Sequence, residues 1–521
     1  MSILLSEKEA WDRFILIVKP EQSGKTFVMI KKINEFLEED MKSKEITVNF
    51  IMSDNNLLLT KQTKERVKKD LNMYCLPNID EPYIEFSSSS KKNNKHIVRD
   101  EIEEGCRNVI CCTNGKRVED IEWIIKKLNM RSNDDYNFKI WMDEVDKFET
   151  YIQTIFIPLT QKNKNIDVYM LTATPQRLFN KFGEVRTMAL ENTTLPTYHG
   201  WNDNNIIIME YEGEDSVEFA RKIANEMKHN NQLVPGSKGY VPSSTKKESH
   251  YNMRDMFLVK GVAVFVVNGD GIELTLPNEN KTIDVIPKKN KELCKHILEL
   301  YEKHNVSRWP CIITGALCIG RGISIQTPDF MFSFGILSNC SKKSEVSQNA
   351  GRLKGNMKDW KGYSPPTVYT TQKFNKIADQ YEKQSREIAK LAFTKSDYTN
   401  TVIITKSEMK NIETDKIWDL ITDEFDNLDD ANEMLKENGC RCKFKFKRDN
   451  NNFIKSTTTE KAKVLKYQEV KETIKGWSKT SAFDTNKNKN KKIHSRMIIS
   501  YKDLTDINSV VYIIRIIKKK D

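Results

Sequence analysis

A chain of 521 residues exceeds what one hydrophobic core supports and implies about three or four domains. With 38% hydrophobic and 30% charged residues, and no apolar run near the roughly 18 residues that a helical bilayer crossing needs, a soluble chain with no membrane partner is expected. The net charge of +11 is uneven: Arg441 to Asp521 holds 22 Lys/Arg against 8 Asp/Glu, +14, leaving 62 against 65, −3, for the rest.

A neutral body with a basic appendage suits a polyanion, because neutralised phosphates release counterions. A lysine run such as Lys487–Lys492 taken alone reads as a solvated loop. Met1–Arg13 carries Glu7, Glu9 and Asp12 and leads straight into the first strand, which leaves no room for a secretion signal and points to an intracellular location. The ten cysteines lack Cys-x-x-Cys spacing. Cys111 beside Cys112, and Cys440 with Cys442, are poor zinc ligands and read as reduced structural thiols.

In chain order, Phe14–Val18 is a short apolar run, followed by a glycine-containing turn and a helical pattern over Thr26–Glu38. Further buried strands are predicted at Ile46–Met52, Asn108–Cys112, Lys139–Met142 and Val168–Leu171, with helices between several of them. Alternating strands and helices imply a parallel sheet covered on both faces. After a polar hinge at Thr193–Asn205, a second series runs through Asn205–Glu210, Gly261–Asn268, Cys311–Thr314, Phe330–Phe334 and Thr367–Thr371, with a loop at Lys238–Ser249. Beyond Phe374 the pattern changes. Helix is predicted at Ile377–Phe393, in pieces over Ile417–Asn438 and at Glu460–Lys475, with an edge strand at Lys443–Phe446 and strands at Met497–Tyr501 and Val510–Ile517. A lysine-asparagine loop lies at Thr485–Lys492, and no internal repeat is present.

Lys19-Pro-Glu-Gln-Ser-Gly-Lys-Thr26 sits between an apolar strand and a helix, the context in which a phosphate loop works. Backbone N–H groups of Gln22, Ser23 and Gly24 can surround phosphates, Lys25 can reach the β and γ oxygens, and Thr26 can hold Mg²⁺. Gly-Lys-Thr alone is weak, since a helix start can contain it by chance. Trp141-Met-Asp-Glu-Val-Asp146 ends an apolar strand in acids, assigning Asp143 to metal and Glu144 to the water-activating base. Leu171-Thr-Ala-Thr-Pro175 brings the hydroxyls of Thr172 and Thr174 to the same sheet edge, where they can relay the γ-phosphate state. Later come Ile319-Gly-Arg-Gly-Ile-Ser324 and Gln348-Asn-Ala-Gly-Arg-Leu-Lys-Gly355, the latter in a predicted helix start. An arginine brought across a cleft stabilises charge developing on the γ-phosphate. Arg352 is the first choice for it, with Gln348 beside it; Arg321 is a further candidate that could instead be an ion-pair residue.

Gly-Lys-Thr, Asp-Glu-Val-Asp, Thr-Ala-Thr, Gly-Arg-Gly-Ile-Ser and Gln-x-x-Gly-Arg, in this order, resemble the superfamily 2 DExD/H-box helicases over Phe14 to Thr371. The Lys/Asn/Ile-rich composition and Tyr198-His-Gly-Trp201 look most like helicases of large nucleocytoplasmic DNA viruses, of the poxvirus transcript-release type. The resemblance implies two tandem RecA-like α/β lobes, residues 1–200 binding ATP and 201–374 forming the second lobe, with a basic α+β accessory domain at 375–521. It implies ATP and Mg²⁺ in the cleft, a nucleic-acid strand across both lobes, recruitment by transcription or replication machinery, and a place in the host cytoplasm or virion. Ser53, Thr60, Gln62, Thr113 and Asn114 from the first lobe, and Ser243 and Thr245 from the second, are the implied phosphate contacts; taken alone, such residues are turn formers.

Three departures from the family pattern stand out. The loop opens on Lys19 where a glycine is usual, and Gly355, beside Lys354, occupies the place of a second arginine. No glutamine-centred adenine segment lies in the 18 residues before Lys19, so loose base selectivity is expected. Two other readings compete with the motor. One is a catalytically weak scaffold that binds nucleic acid. The other is the motor subunit of a packaging or restriction system, although no nuclease cluster follows Phe374.

Overall fold

The computed structural model describes residues 4–43, 45–54, 57–71, 83–87, 90, 92–131, 136–277, 284–287, 293–316, 325–396, 400–414, 418–437, 440, 447–457, 462–468, 470 and 493–519. The chain forms two compact units, Met1–Ile403 and Ile404–Asp521. Among the described residues no helix is long and apolar enough to cross a membrane.

The first unit contains the two expected α/β lobes. In the first lobe, strands β1 (Phe14–Val18), β2 (Ile46–Ser53), β3 (Ile84–Phe86), β4 (Asn108–Cys112), β5 (Tyr136–Asp143), β6 (Ile166–Thr172) and β7 (Glu184–Met188) lie in the order β7-β1-β6-β5-β2-β4-β3, with a further strand beginning at Thr401 beside β7. The pairings β1–β6, β1–β7, β2–β4, β2–β5, β3–β4 and β5–β6 are all parallel. Every residue of β4 is buried, as is all of β1 except Ile15, because helices cover both faces. β6 lies between β1 and β5, so the loops leaving β1 and β5 open at one sheet edge. That edge is where ligands bind in open parallel sheets.

A two-residue strand β8 (Tyr198–His199) follows. The second sheet contains β9 (Asn205–Ile208), β10 (Lys238–Tyr240), β11 (Ala263–Asn268), β12 (Gly271–Thr275), β13 (Asp284–Pro287), β14 (Cys311–Gly315) and β15 (Phe334–Leu337). Next come the pairing segment β16 (Gly355–Asn356) and β17 (Thr367–Thr370), giving the sheet order β13-β12-β11-β14-β10-β15-β17-β9. β16 is outside that sheet and pairs antiparallel with β8, Gly355 with His199 and Asn356 with Tyr198. The predicted hinge is thus partly ordered, and bonded to the segment that carries Arg352.

Five sequence expectations need correction. Lys238–Tyr240, expected to begin a loop, is a central strand, parallel to both β14 and β15. Gly239 is required there, since a Cβ would meet the Phe334 ring at 2.2 Å. The strand expected at Phe330–Phe334 starts only at Phe334, because Phe330 and Thr327 exchange backbone hydrogen bonds of 3.0 and 3.1 Å in a turn. Gln348 to Arg352 closes a helix rather than opening one: Lys343–Ala350 is helical and Gly351–Leu353 forms a 3₁₀ turn.

The fourth correction concerns the second unit, where Trp418–Phe425 is a strand instead of helix, paired residue by residue with Tyr512–Lys519. Long-range pairing there overrides local propensity. The three antiparallel strands Trp418–Phe425, Val510–Lys519 and Ile493–Tyr501 form its main sheet. Ala431 and Leu435 of the helix Leu428–Glu437 pack on Ile499, Ile514 and Ile516. Ala462–Lys463, placed in a predicted helix, pairs with Ser456–Thr457 instead. The edge strand expected at Lys443–Phe446 and the loop at Thr485–Lys492 lie outside the described residues.

Candidate active site at the interlobe cleft

The chain leaves β1 at Val18 and turns through Lys19–Gly24 into the helix Lys25–Ser43. Gln22 (φ 58°) and Gly24 (φ 96°) both adopt left-handed backbone, easy for glycine and costly for glutamine. The loop is further fixed by Ser23, whose Oγ donates to the Pro20 carbonyl at 2.8 Å. Lys25 is buried, with its Nζ 4.0 Å from Glu144 Oε1. Its helix has no acidic residue in the first turn, which suits an anion at that end.

At the end of β5, Asp143 Oδ1 accepts from the Glu144 N–H at 3.0 Å. Glu144 itself is buried and held in left-handed backbone, φ 55° and ψ 44°. Burial, and then the charge of Glu144, push the Asp143 carboxyl up to about 6, against the pull of Lys25 and Arg66. A carboxylate held among negative charge in this way is suited to a divalent cation.

The second lobe completes the cavity. Gln348 Nε2 donates to Glu144 Oε2 at 3.3 Å, and Arg352 is buried on the same wall. Burial lowers the Arg352 pKa, with Tyr240, Glu144 and Glu21 opposing it. Gln22, Gly24, Lys25, Thr26, Asp143, Glu144, Gln348 and Arg352 together line one cavity of about 260 Å³.

No family model matches the chain, and no curated protein matches it. Among solved structures it is similar to Mss116p (NTE and C-tail double deletion) bound to ssRNA and AMP-PNP, at 14% identity and a TM-score of 0.42, over 69% of this chain and 66% of that one. It is similar also to the DEAD-box helicase Mss116 bound to ssRNA and UDP-BeF, at 13% identity and 0.43, over 79% and 86%. The ATP-dependent Type ISP restriction-modification enzyme LlaBIII bound to DNA gives 12% and 0.42, over 73% of this chain. The chain spans 66% of the first of these proteins and 29% of the last. Scores this low leave any functional reading to rest on the site itself.

Two further groups at the cavity are given no role by the sequence reading. Arg66, from the helix Leu57–Asp70, donates to Thr26 Oγ1 at 3.1 Å. Glu21, in the Lys19–Gly24 loop, pairs with Lys354 Nζ of the second lobe at 2.7 Å and accepts from Ser347 Oγ, while its carbonyl accepts from Tyr198 Oη at 2.9 Å. Lys354 is fully buried and also meets Glu382 at 3.4 Å. Burial alone would raise the Glu21 pKa, but Lys354 and then Lys25 hold it below its ordinary 4.5. Gly351 has to be glycine beside this pair, since a Cβ would lie 2.9 Å from Glu21 Cβ.

Those of the remaining expected residues that the structure describes do not line the cavity. Thr172 Oγ1 donates to Asp146 at 3.3 Å and accepts from the Thr174 N–H at 3.0 Å, tying the Thr-Ala-Thr segment to the last acid of the Asp-Glu-Val-Asp run. Ser53, Thr60 and Thr113 are buried, and the Ser53 and Thr60 hydroxyls bond each other at 2.7 Å. As placed, these three side chains do not face solvent. Asn114 receives the Arg117 N–H at 3.1 Å at the start of its helix. Gln62 is half-buried, Ser243 is bonded to Ser249, and Thr245 is exposed. Arg321 lies outside the described residues.

Proposed function

We propose that the protein is an ATP-driven nucleic-acid motor of the superfamily 2 helicase kind, hydrolysing ATP to translocate on and unwind DNA or an RNA–DNA hybrid. The observation that carries this reading is the single cavity on which Lys25, Asp143 and Glu144 of one lobe face Gln348 and Arg352 of the other. Lys25 and the loop N–H groups grip the phosphates. Glu144 accepts a proton from the attacking water, and Gln348, bonded to it, fixes the carboxylate's orientation. Arg352 faces the charge that builds up on the transferred group, so hydrolysis requires the lobes to be closed. The Thr26 hydroxyl and the Asp143 carboxylate both line the cavity and suit Mg²⁺, which two protein ligands can hold together with phosphate and water. Bound there, Mg²⁺ would supply charge neutralisation to the phosphates. Arg66 would have to release Thr26 for this.

On this reading residues 1–200 and 201–374 are the motor lobes, and 375–521 is a basic accessory region that holds the chain on its track. A cellular setting in transcription or replication, and kinship with helicases of large DNA viruses, rest on composition and on Tyr198–Trp201. ATP turnover measured with and without single-stranded DNA, RNA and hybrid is the direct test; stimulation by none of them would sink the motor and favour a scaffold. Removal of residues 404–521, a compact unit, is expected to weaken strand binding and flatten its dependence on log salt. An unchanged salt slope would take the accessory role away from that unit.

A further inference from the structure

Beside the phosphate cavity lies a second one, of about 120 Å³, that no motif announces. Gln22 of the loop forms one side, and Gln326, Asn356, Met357 and Trp360 of the second lobe form the other. Gln22, Arg352 and Asn356 line both cavities, so the two adjoin. Asn356 is held rigidly. Its backbone pairs with Tyr198, and the next N–H, of Met357, donates to the Thr197 carbonyl at 3.1 Å.

Its side-chain Oδ1 is buried yet accepts no hydrogen bond among the described residues. Gln326, by contrast, is committed: its Nε2 donates to the Arg352 carbonyl at 2.9 Å and its Oε1 accepts from the Phe332 N–H at 2.8 Å. Buried acceptors are rarely left unmatched, and one fixed beside an indole and a thioether suits a flat ligand that carries an N–H donor.

We propose that this cavity takes the base of the bound triphosphate and that Asn356 recognises adenine through its 6-amino group. The inference rests on the reading of the Lys25 loop as an ATP site. An asparagine amide matches the adjacent donor and acceptor of adenine, and Trp360 and Met357 supply apolar walls for the ring. Base recognition then comes from the second lobe, with no need of a glutamine segment before the phosphate loop. It also makes the adenine contact depend on closure of the cleft, because Gln22 and Asn356 belong to different lobes.

The test is displacement of a fluorescent ADP analogue from the full chain by ATP, by purine riboside triphosphate, which lacks the 6-amino group, and by tripolyphosphate. The wild type is expected to bind ATP about tenfold more tightly than purine riboside triphosphate. In Asn356→Ala that ratio falls to about one, while tripolyphosphate still displaces the analogue and shows the variant to be folded. Trp360→Ala is expected to weaken both nucleotides and keep the ratio, since stacking is indifferent to the 6-substituent. Equal affinities in the wild type, or a ratio that survives in Asn356→Ala, would overturn the assignment of the base while leaving the phosphate site intact. If neither tripolyphosphate nor any nucleotide displaces the analogue, or if Lys25→Ala binds as the wild type does, the phosphate site itself fails and this proposal fails with it.

Discussion

Glu144→Gln is expected to lower strand-stimulated ATP turnover by roughly 10²- to 10⁴-fold, the range for losing a general base, while ATP still binds. Glutamine keeps the length and shape of the side chain and can still meet Gln348, so the lobes should close as before. It cannot take a proton from water. It also removes one negative charge 4.0 Å from Lys25 and next to Asp143, which leaves more positive potential for the phosphates. Nucleotide affinity should therefore be equal or higher in the variant. Turnover within about twofold of the wild type in a single-turnover assay would remove Glu144 from the base role and redirect attention to Asp143.

The second large effect is on stability. Lys354→Met would leave Glu21 and Glu382 buried without their shared cation, and breaking a buried pair in this way costs about 3–5 kcal/mol. The pH dependence has a definite sign. In the wild type Glu21 titrates below 4.5, so its stabilising contribution is present above that pH and is lost as pH falls through the lower folded value. In Lys354→Met the contribution is absent, so the deficit should be greatest at neutral pH and shrink below about pH 4.5. Urea denaturation at pH 7 and pH 4 would show this. Adding Glu21→Gln to Lys354→Met should restore part of the loss at pH 7, and a double variant no more stable than the single one would mean that the pair does not bear on stability.

Much of the architecture could be read from the sequence because buried parallel strands announce themselves. Phe14–Val18 and Asn108–Cys112 have the predicted bounds, the first wholly apolar and the second apolar after Asn108. Lys238–Tyr240 was illegible: three residues with a central glycine carry no periodicity, and only the pairing with β14 and β15 makes them a strand. Trp418–Phe425 failed for a related reason, since its partner Val510–Lys519 lies almost a hundred residues later. The site divides similarly. Lys25, Asp143 and Glu144 follow apolar strands, and Gln348 and Arg352 sit together in one short segment, so type and position marked them. Arg66, Asn356 and the Glu21–Lys354 pair acquire meaning only from distances. The burial of Ser53, Thr60 and Thr113 was equally hidden, since hydroxyls in polar loops and hydroxyls filling an interior look alike in one sequence.

The short ribbon between Tyr198–His199 and Gly355–Asn356 bears on how Arg352 would meet the nucleotide of the proposed function. The segment joining the two sheets is bonded back to the chain three residues beyond that arginine, which shortens its tether to the first lobe. On the proposed function Arg352 would act as an intramolecular ligand, whose local concentration is of the millimolar order or higher that short tethers confer. Lengthening the connection on either side of the ribbon would dilute the arginine at the cavity without altering a single residue that lines it.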